Sequence, residues 1–261
     1  MITDKGFAER WAARGDDRWG IVRQVYADWR TPLCAEDGIS AERVTAAEER
    51  LGVHLPAALR EWYEMAGARD DLRGRGNHLL TPERLRIDQD AGMLVFYQEN
   101  QYVCRWGLRL EESDRSDDPA AYVAERGNED WIAQDPTLSQ FVLQMTLLET
   151  QFAAPFTANA AAPPKLIEEI GRLFEDLGLS WWHWPRYPGR RFAGPGVLVG
   201  TDGPGAAGEA WLWLAAKTAA IRDGAMRDLD RALRRLTERP GARSSVRRPI
   251  DWLVQDEGRT S

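Results

Sequence analysis

Gly203-Pro204-Gly205-Ala206-Ala207-Gly208 has the glycine spacing of a loop that cradles a dinucleotide pyrophosphate. That chemistry needs a strand entering the loop and a helix leaving it, so that the helix N-terminus meets the phosphate. Ala210 to Lys217, which follow, alternate bulky and small side chains and read as a strand, so a hairpin connection is favoured. His54, His78 and His183 are dispersed, and neither Cys34 nor Cys104 adjoins one, so no metal-ligand spacing is present in the sequence, although spatial convergence stays open. A Ser or Cys nucleophile needs an oriented base, and no Gly-x-Ser-x-Gly elbow occurs. No catalytic residue, metal ligand or cofactor is therefore assigned.

Groups suited to recognition are easier to find. Glu99-Asn100-Gln101 places three polar side chains between two apolar runs, either as a recognition turn or as ordinary hairpin chemistry. Glu111, Glu112, Asp114, Asp117 and Asp118 form an acidic run relieved only by Arg115. Such a run is normally a solvated loop, but it also suits a protein partner whose basic surface is built for phosphate. In Trp181-Trp182-His183-Trp184-Pro185-Arg186-Tyr187, the rings of Trp181, Trp182 and Trp184 with Arg186 either stack on a ligand or pack in a core. From Arg231 to Arg248 there are seven arginines against one acid, without interleaved aromatics, which reads as a solubilising tail.

The elements that must carry these groups follow from periodicity. Helices are expected at about residues 4–13, 17–29, 41–51 and 56–66. Thr45 and Glu48 have capping-box spacing, Gly52 is a helix stop and Pro56 a helix start. Leu59, Trp62, Tyr63 and Ala66 share one face of the last of these helices and are assigned to the core. A polar connection over 69–77 offers a contact surface. Strands at 93–97 and 102–106 form a hairpin with Trp106 as a core anchor, and Thr137 with Gln140 caps a helix to Phe152. Residues 154–164, rich in Ala and Pro, read as an exposed connection. Beyond it come a helix at 165–177, strands at 196–200 and 210–217, a helix at 224–237 and a docking segment from Ile250 to Val254.

Residues 44–67 resemble the entry to the SUKH superfamily, the Smi/Knr-type cell-wall-regulator-like domain. In it a helix ending in Leu-Gly (Leu51-Gly52) precedes Leu-Pro (Leu55-Pro56), and a second helix closes on Gly (Gly67). The resemblance continues through Met93 to Tyr97, the Glu99-Asn100-Gln101 turn, Trp106-Gly107, Asp118-Pro119, the strand Ala121 to Ala124, Trp131 and the helix from Thr137. It covers about residues 41–153. It implies an α+β domain without a catalytic apparatus, whose bacterial members are largely toxin-neutralising immunity proteins.

Bulk composition agrees with a globular chain of 261 residues and 43% hydrophobic content. The net charge of −7 argues against general nucleic-acid affinity, and 31 of the 34 basic residues are Arg, so basic patches are guanidinium-built. No bilayer-length apolar stretch or signal-peptide core occurs, and two distant cysteines fit a reducing compartment, so a cytoplasmic location is expected. The expectation is an α+β protein with a mainly antiparallel sheet and flanking helices. It comprises a SUKH-like domain over 1–153, a connection over 154–164 and a C-terminal helix-strand extension over 165–261. Its expected function is non-catalytic binding of a basic toxin domain. The alternatives are a regulatory scaffold with a cellular partner and a ligand binder or enzyme using the tryptophan segment.

Overall fold

The first two helices, α1 (Phe7–Ala12) and α2 (Gly20–Trp29), belong to a unit completed by residues 150–261, whereas residues 31–149 make a unit of their own. The N-terminal helices are thus not part of the unit that holds residues 41–149. The computed structural model describes residues 6–13, 15, 17–69, 71, 77–128, 130–183, 189–203, 210–237 and 250–256. The chain is α+β, with two sheets in which every described pairing is antiparallel. Among the described residues, no helix is long and apolar enough to cross a membrane.

In residues 31–149, α3 (Ala41–Leu51) stops at Gly52, whose φ of 70° lies in the left-handed region that glycine enters without steric cost. Pro56 then caps the start of α4 (Ala57–Ala66). Thr45 sits in mid-helix, because α3 begins after Ser40, so the Thr45–Glu48 spacing is not a capping box. Glu48 instead reaches forward across the hinge from a buried position. Its Oε1 accepts the Leu55 N–H at 2.7 Å, and its Oε2 pairs with Arg60.

The strands of this unit are β1 (His78–Leu79), β2 (Arg86–Asp88), β3 (Met93–Gln98), β4 (Cys104–Arg109), β5 (Ala121–Glu125) and β6 (Ile132–Asp135). They lie in the order β1-β3-β4-β5-β6, with β2 also on β3. A short helix, α5 (Leu110–Ser113), replaces part of the expected acidic loop. One sheet face is apolar and must be covered. Phe141, from α6 (Leu138–Ala153), meets Phe96, Tyr97 and Trp106 at centroid distances of 5.4, 5.6 and 5.9 Å, while Trp62 of α4 stacks on Tyr97 at 5.8 Å. Trp62, Tyr63 and Trp106 are core residues, as their spacing indicates.

The second unit contains β7 (Phe156–Ala162), α7 (Pro164–Leu173), β8 (Glu175–Asp176), β9 (Gly189–Gly194), β10 (Val197–Asp202), β11 (Ala210–Ala216), α8 (Ala219–Thr237) and β12 (Leu253–Asp256). Sheet order is β12-β7-β11-β10-β9-β8. Residues 156–162, expected as an exposed connection, are an interior strand between β11 and β12. Ala158, Ala160 and Ala162 alternate into a core shared with Leu166 and Ile170 of α7 and with Leu229 and Leu233 of α8. β10 and β11 pair directly, as a hairpin connection requires; residues 204–208 of the glycine-rich loop lie outside the described residues. So do most of the 69–77 connection and the arginine tail over 239–248. Ile250 is buried, but Leu253 and Val254 are exposed, so β12 docks through its backbone ladder.

Glu48→Ala leaves a buried N–H and the Arg60 guanidinium without their acceptor, and is expected to cost roughly 2–4 kcal/mol. Exposed Thr45→Ala should stay within about 0.5 kcal/mol. Urea denaturation of the two variants checks this; equal losses would remove the hinge role given to Glu48.

Candidate functional site: the hairpin tip and its arginine cleft

The turn between β3 and β4 is closed almost entirely by Glu99. Its carboxylate Oε2 accepts the N–H groups of Gln101 at 2.7 Å and Val103 at 3.1 Å, its carbonyl accepts the Tyr102 N–H at 3.0 Å, and its own N–H donates to Cys104 O at 3.1 Å. Glu99 is therefore buried and positions the turn, whereas Asn100 and Gln101 are exposed. Tyr102 and Val103 complete the tip at 48% and 45% exposure. Tyr102 has φ 63°, and it is the only non-glycine in the left-handed region among the described residues. An aromatic residue held there carries strain of order 1–3 kcal/mol, tolerated where the surrounding bonds over-determine it.

Beside the tip lies a cleft of about 390 Å³ lined by Arg86, Gln98, Tyr102, Cys104, Arg105 and Arg126. Register brings these together from separate strands: Gln98 opposes Arg105, Arg105 opposes Ala124, and Arg86 enters from β2 opposite Val95. Arg105 pairs with Asp88 at 3.1 Å and lies over the Trp131 ring at 5.1 Å. Arg86 donates to the neutral Gln98 Oε1 at 2.8 Å. Burial, then the charges of Arg105 and Arg84, hold the Arg86 pKa below its ordinary value, with Asp88 opposing. Burial, with Glu99 and Glu125 nearby, pushes the Cys104 thiol far up, so it stays protonated.

No family model matches this chain, and no curated protein does.

The acidic run divides by role. Glu111, Asp114 and Asp117 are exposed. Glu112 Oε1 accepts the Tyr122 hydroxyl at 2.8 Å. Asp118 caps α6 from a distance, its oxygens accepting Ser139 N–H at 2.9 Å and Ser139 Oγ–H at 2.6 Å, while Asp117 O accepts the Ala58 N–H at the start of α4. Glu99, Glu112 and Asp118 thus hold structure, leaving Asn100, Gln101, Glu111, Asp114 and Asp117 as exposed members of the expected contact set.

The tryptophan segment also divides. Trp182 is buried and exchanges backbone bonds with Gly189, so it packs and does not stack on a ligand. Trp181 is 51% exposed, with Arg190 5.8 Å from its ring, while Trp184 and Arg186 lie outside the described residues. Among the described residues, no three His, Cys, Asp or Glu side chains converge as metal ligands.

A partly buried polar chain crosses the sheet of this second unit. Arg191 donates to Gln151 Oε1 at 3.1 Å, Gln151 Nε2 to Trp213 O at 2.9 Å, and Trp213 Nε1 to Asp202 Oδ2 at 2.9 Å. Gly200, opposite both Arg191 and Trp213, leaves the room: a Cβ there would come within 2.8 Å of Arg191 Nη1.

Burial raises the Asp202 pKa, against the lowering effects of the Trp213 bond and Arg191. A carboxyl raised in the folded state binds more protons there than in the unfolded chain, so stability falls as pH rises from the ordinary carboxyl value through the folded one. Asp202→Asn keeps an acceptor for Trp213 and is expected to raise Tm at neutral pH. That advantage disappears below about pH 4, where the aspartate is neutral in both states. A lower Tm for the variant at neutral pH would show that attraction to Arg191 outweighs burial.

Proposed function

We propose that this chain is a non-catalytic protein-binding domain, a SUKH-like immunity protein that neutralises a toxin in the bacterial cytoplasm. The observation that carries the reading is the β3–β4 tip. Tyr102 and Val103 are large, half-exposed side chains on a turn pinned by a buried carboxylate, with strain retained at Tyr102. A rigid aromatic presented to solvent loses little conformational entropy on binding and is the side-chain type that dominates protein interfaces. Exposed Glu111, Asp114 and Asp117 add charge suited to a basic toxin domain and to fast, salt-sensitive association. The motif residues of the SUKH resemblance support the reading from another side. Gly52 ends α3, Glu99 closes the turn, Asp118 caps α6, and Gly107 leaves space that a Cβ would contest with Trp131 at 2.9 Å.

Tyr102→Gly should hold or raise thermal stability by relieving the left-handed strain, yet weaken partner capture by roughly tenfold or more. Glu111→Lys with Asp114→Lys and Asp117→Lys should slow association without unfolding the protein. Affinity capture from the native lysate at low salt and again at ~0.5 M, where exposed charges are screened, reads both effects. One basic, toxin-like protein held stoichiometrically and lost in these variants supports immunity. A salt-resistant housekeeping partner indifferent to both variants replaces it with the regulatory-scaffold reading.

A further inference from the structure

The arginine cleft has a composition that the protein-binding reading does not explain. In a chain of net charge −7, its lining brings together three guanidinium groups and no carboxylate. One cation, Arg105, is balanced by Asp88 at 3.1 Å. Among the described residues, neither Arg86 nor Arg126 forms an ion pair, so two of the three guanidinium groups at the cleft lack a carboxylate partner within ion-pairing distance. Arg86 is the more exacting of the two: on a solvent-exposed residue, its guanidinium is bonded to a neutral amide and set near Arg105 and Arg84, whose charges disfavour its charged form while Asp88 opposes them. An anion entering the cleft relieves that repulsion with little reorganisation of Arg86 and Arg105, whose guanidinium groups Gln98 and Asp88 already hold.

A carboxylate brings one charge, whereas a phosphate monoester carries about −1.5 to −2 at pH 7, enough to engage both unpaired guanidinium groups. Guanidinium forks match phosphate oxygens in pairs, which an ammonium does not. The volume of about 390 Å³ falls within the range of small-molecule sites rather than of a bare ion. The remaining wall is the Tyr102 ring, half-exposed, with His78 set edge-on at 6.1 Å. An aromatic face beside a cluster of arginines receives a planar ring as well as a phosphate.

We propose that the cleft binds a small phosphorylated ligand bearing a planar ring, of the nucleoside monophosphate class, with Arg86, Arg105 and Arg126 receiving the phosphate and Tyr102 stacking on the ring. This goes beyond the protein-binding reading and does not depend on it. The Cys104 thiol stays protonated and takes no part.

Calorimetric titration of the full chain with AMP and with inorganic phosphate at low salt tests it. AMP is expected to bind saturably at one site and more tightly than phosphate. Arg86→Gln with Arg126→Gln should weaken AMP by roughly tenfold or more, from the loss of charge-assisted hydrogen bonds. Arg172→Gln, a surface change in α7, should leave it unaltered. Tyr102→Gly should bring AMP affinity down to that of phosphate while phosphate affinity is kept. Arg105 is left intact because it also supports Asp88 and Trp131, and circular dichroism melting confirms that each variant folds. Absence of saturable binding, AMP binding indifferent to the double substitution, or AMP no tighter than phosphate would each overturn the proposal.

Discussion

An antiparallel sheet with one apolar face is stable only if something covers that face, and in residues 31–149 the cover is held at two points. Phe141 enters the ring cluster of Phe96, Tyr97 and Trp106, and Asp118 satisfies the start of the helix that carries Phe141. Neither contact is sufficient alone: the rings give attraction without direction, and the carboxylate gives direction without much attraction. Together they fix which face of β4 meets the ring cluster. Strand alternation then dictates the rest, because once Trp106 and Leu108 point inward, Arg105, Gly107 and Arg109 must line the other face. The arginine cleft is, in that sense, a by-product of where the aromatic residues had to go.

The tip and the cleft share Tyr102 but obey different physics. At the tip, the controlling quantity is backbone geometry, since a buried carboxylate accepting two N–H groups forces the chain into a conformation its side chain disfavours. In the cleft it is charge density, with three cations and one balancing aspartate. The acids of the 111–118 segment lie beyond the opposite end of β4, so a single strand separates surfaces of opposite sign. The net acidity of the chain conceals this division, as an average over any surface must.

Local signals were legible in the sequence and tertiary ones were not. The Gly52–Pro56 hinge, the two helices around it, the β3–β4 hairpin and the Thr137 cap of α6, which accepts the Gln140 N–H at 3.2 Å, depend on neighbouring residues and were readable as such. Glu48 was misread because its spacing to Thr45 imitates a cap, while its partners lie seven and twelve residues further on. Residues 156–162 were misread because alanine looks like filler; the period-two alternation was present, and small side chains are what let α7 and α8 approach an interior strand. The acidic run was readable as a segment but not by role, since nothing local distinguishes Asp118, which caps a helix 21 residues away, from exposed Asp114. The cleft left no linear signal at all. Arg86, Arg105 and Arg126 are some twenty residues apart and meet only through strand register.

The division of the chain has a consequence for its biosynthesis. Every residue of the unit over 31–149 has been polymerised once Glu149 is added, so its contacts become available while the ribosome is still at work. The other unit draws on residues 1–30 and on residues from 150 onward, and β12 reaches back nearly a hundred residues to pair with β7. Closing such a loop is slow compared with local pairing. Its first helices must therefore wait, exposed, through the synthesis of an entire intervening body, carrying Phe7, Trp11, Trp19 and Val22 that the finished protein buries. A nascent chain in that condition is a natural client for holdase chaperones, and the vulnerable interval lengthens wherever translation pauses between residues 31 and 256.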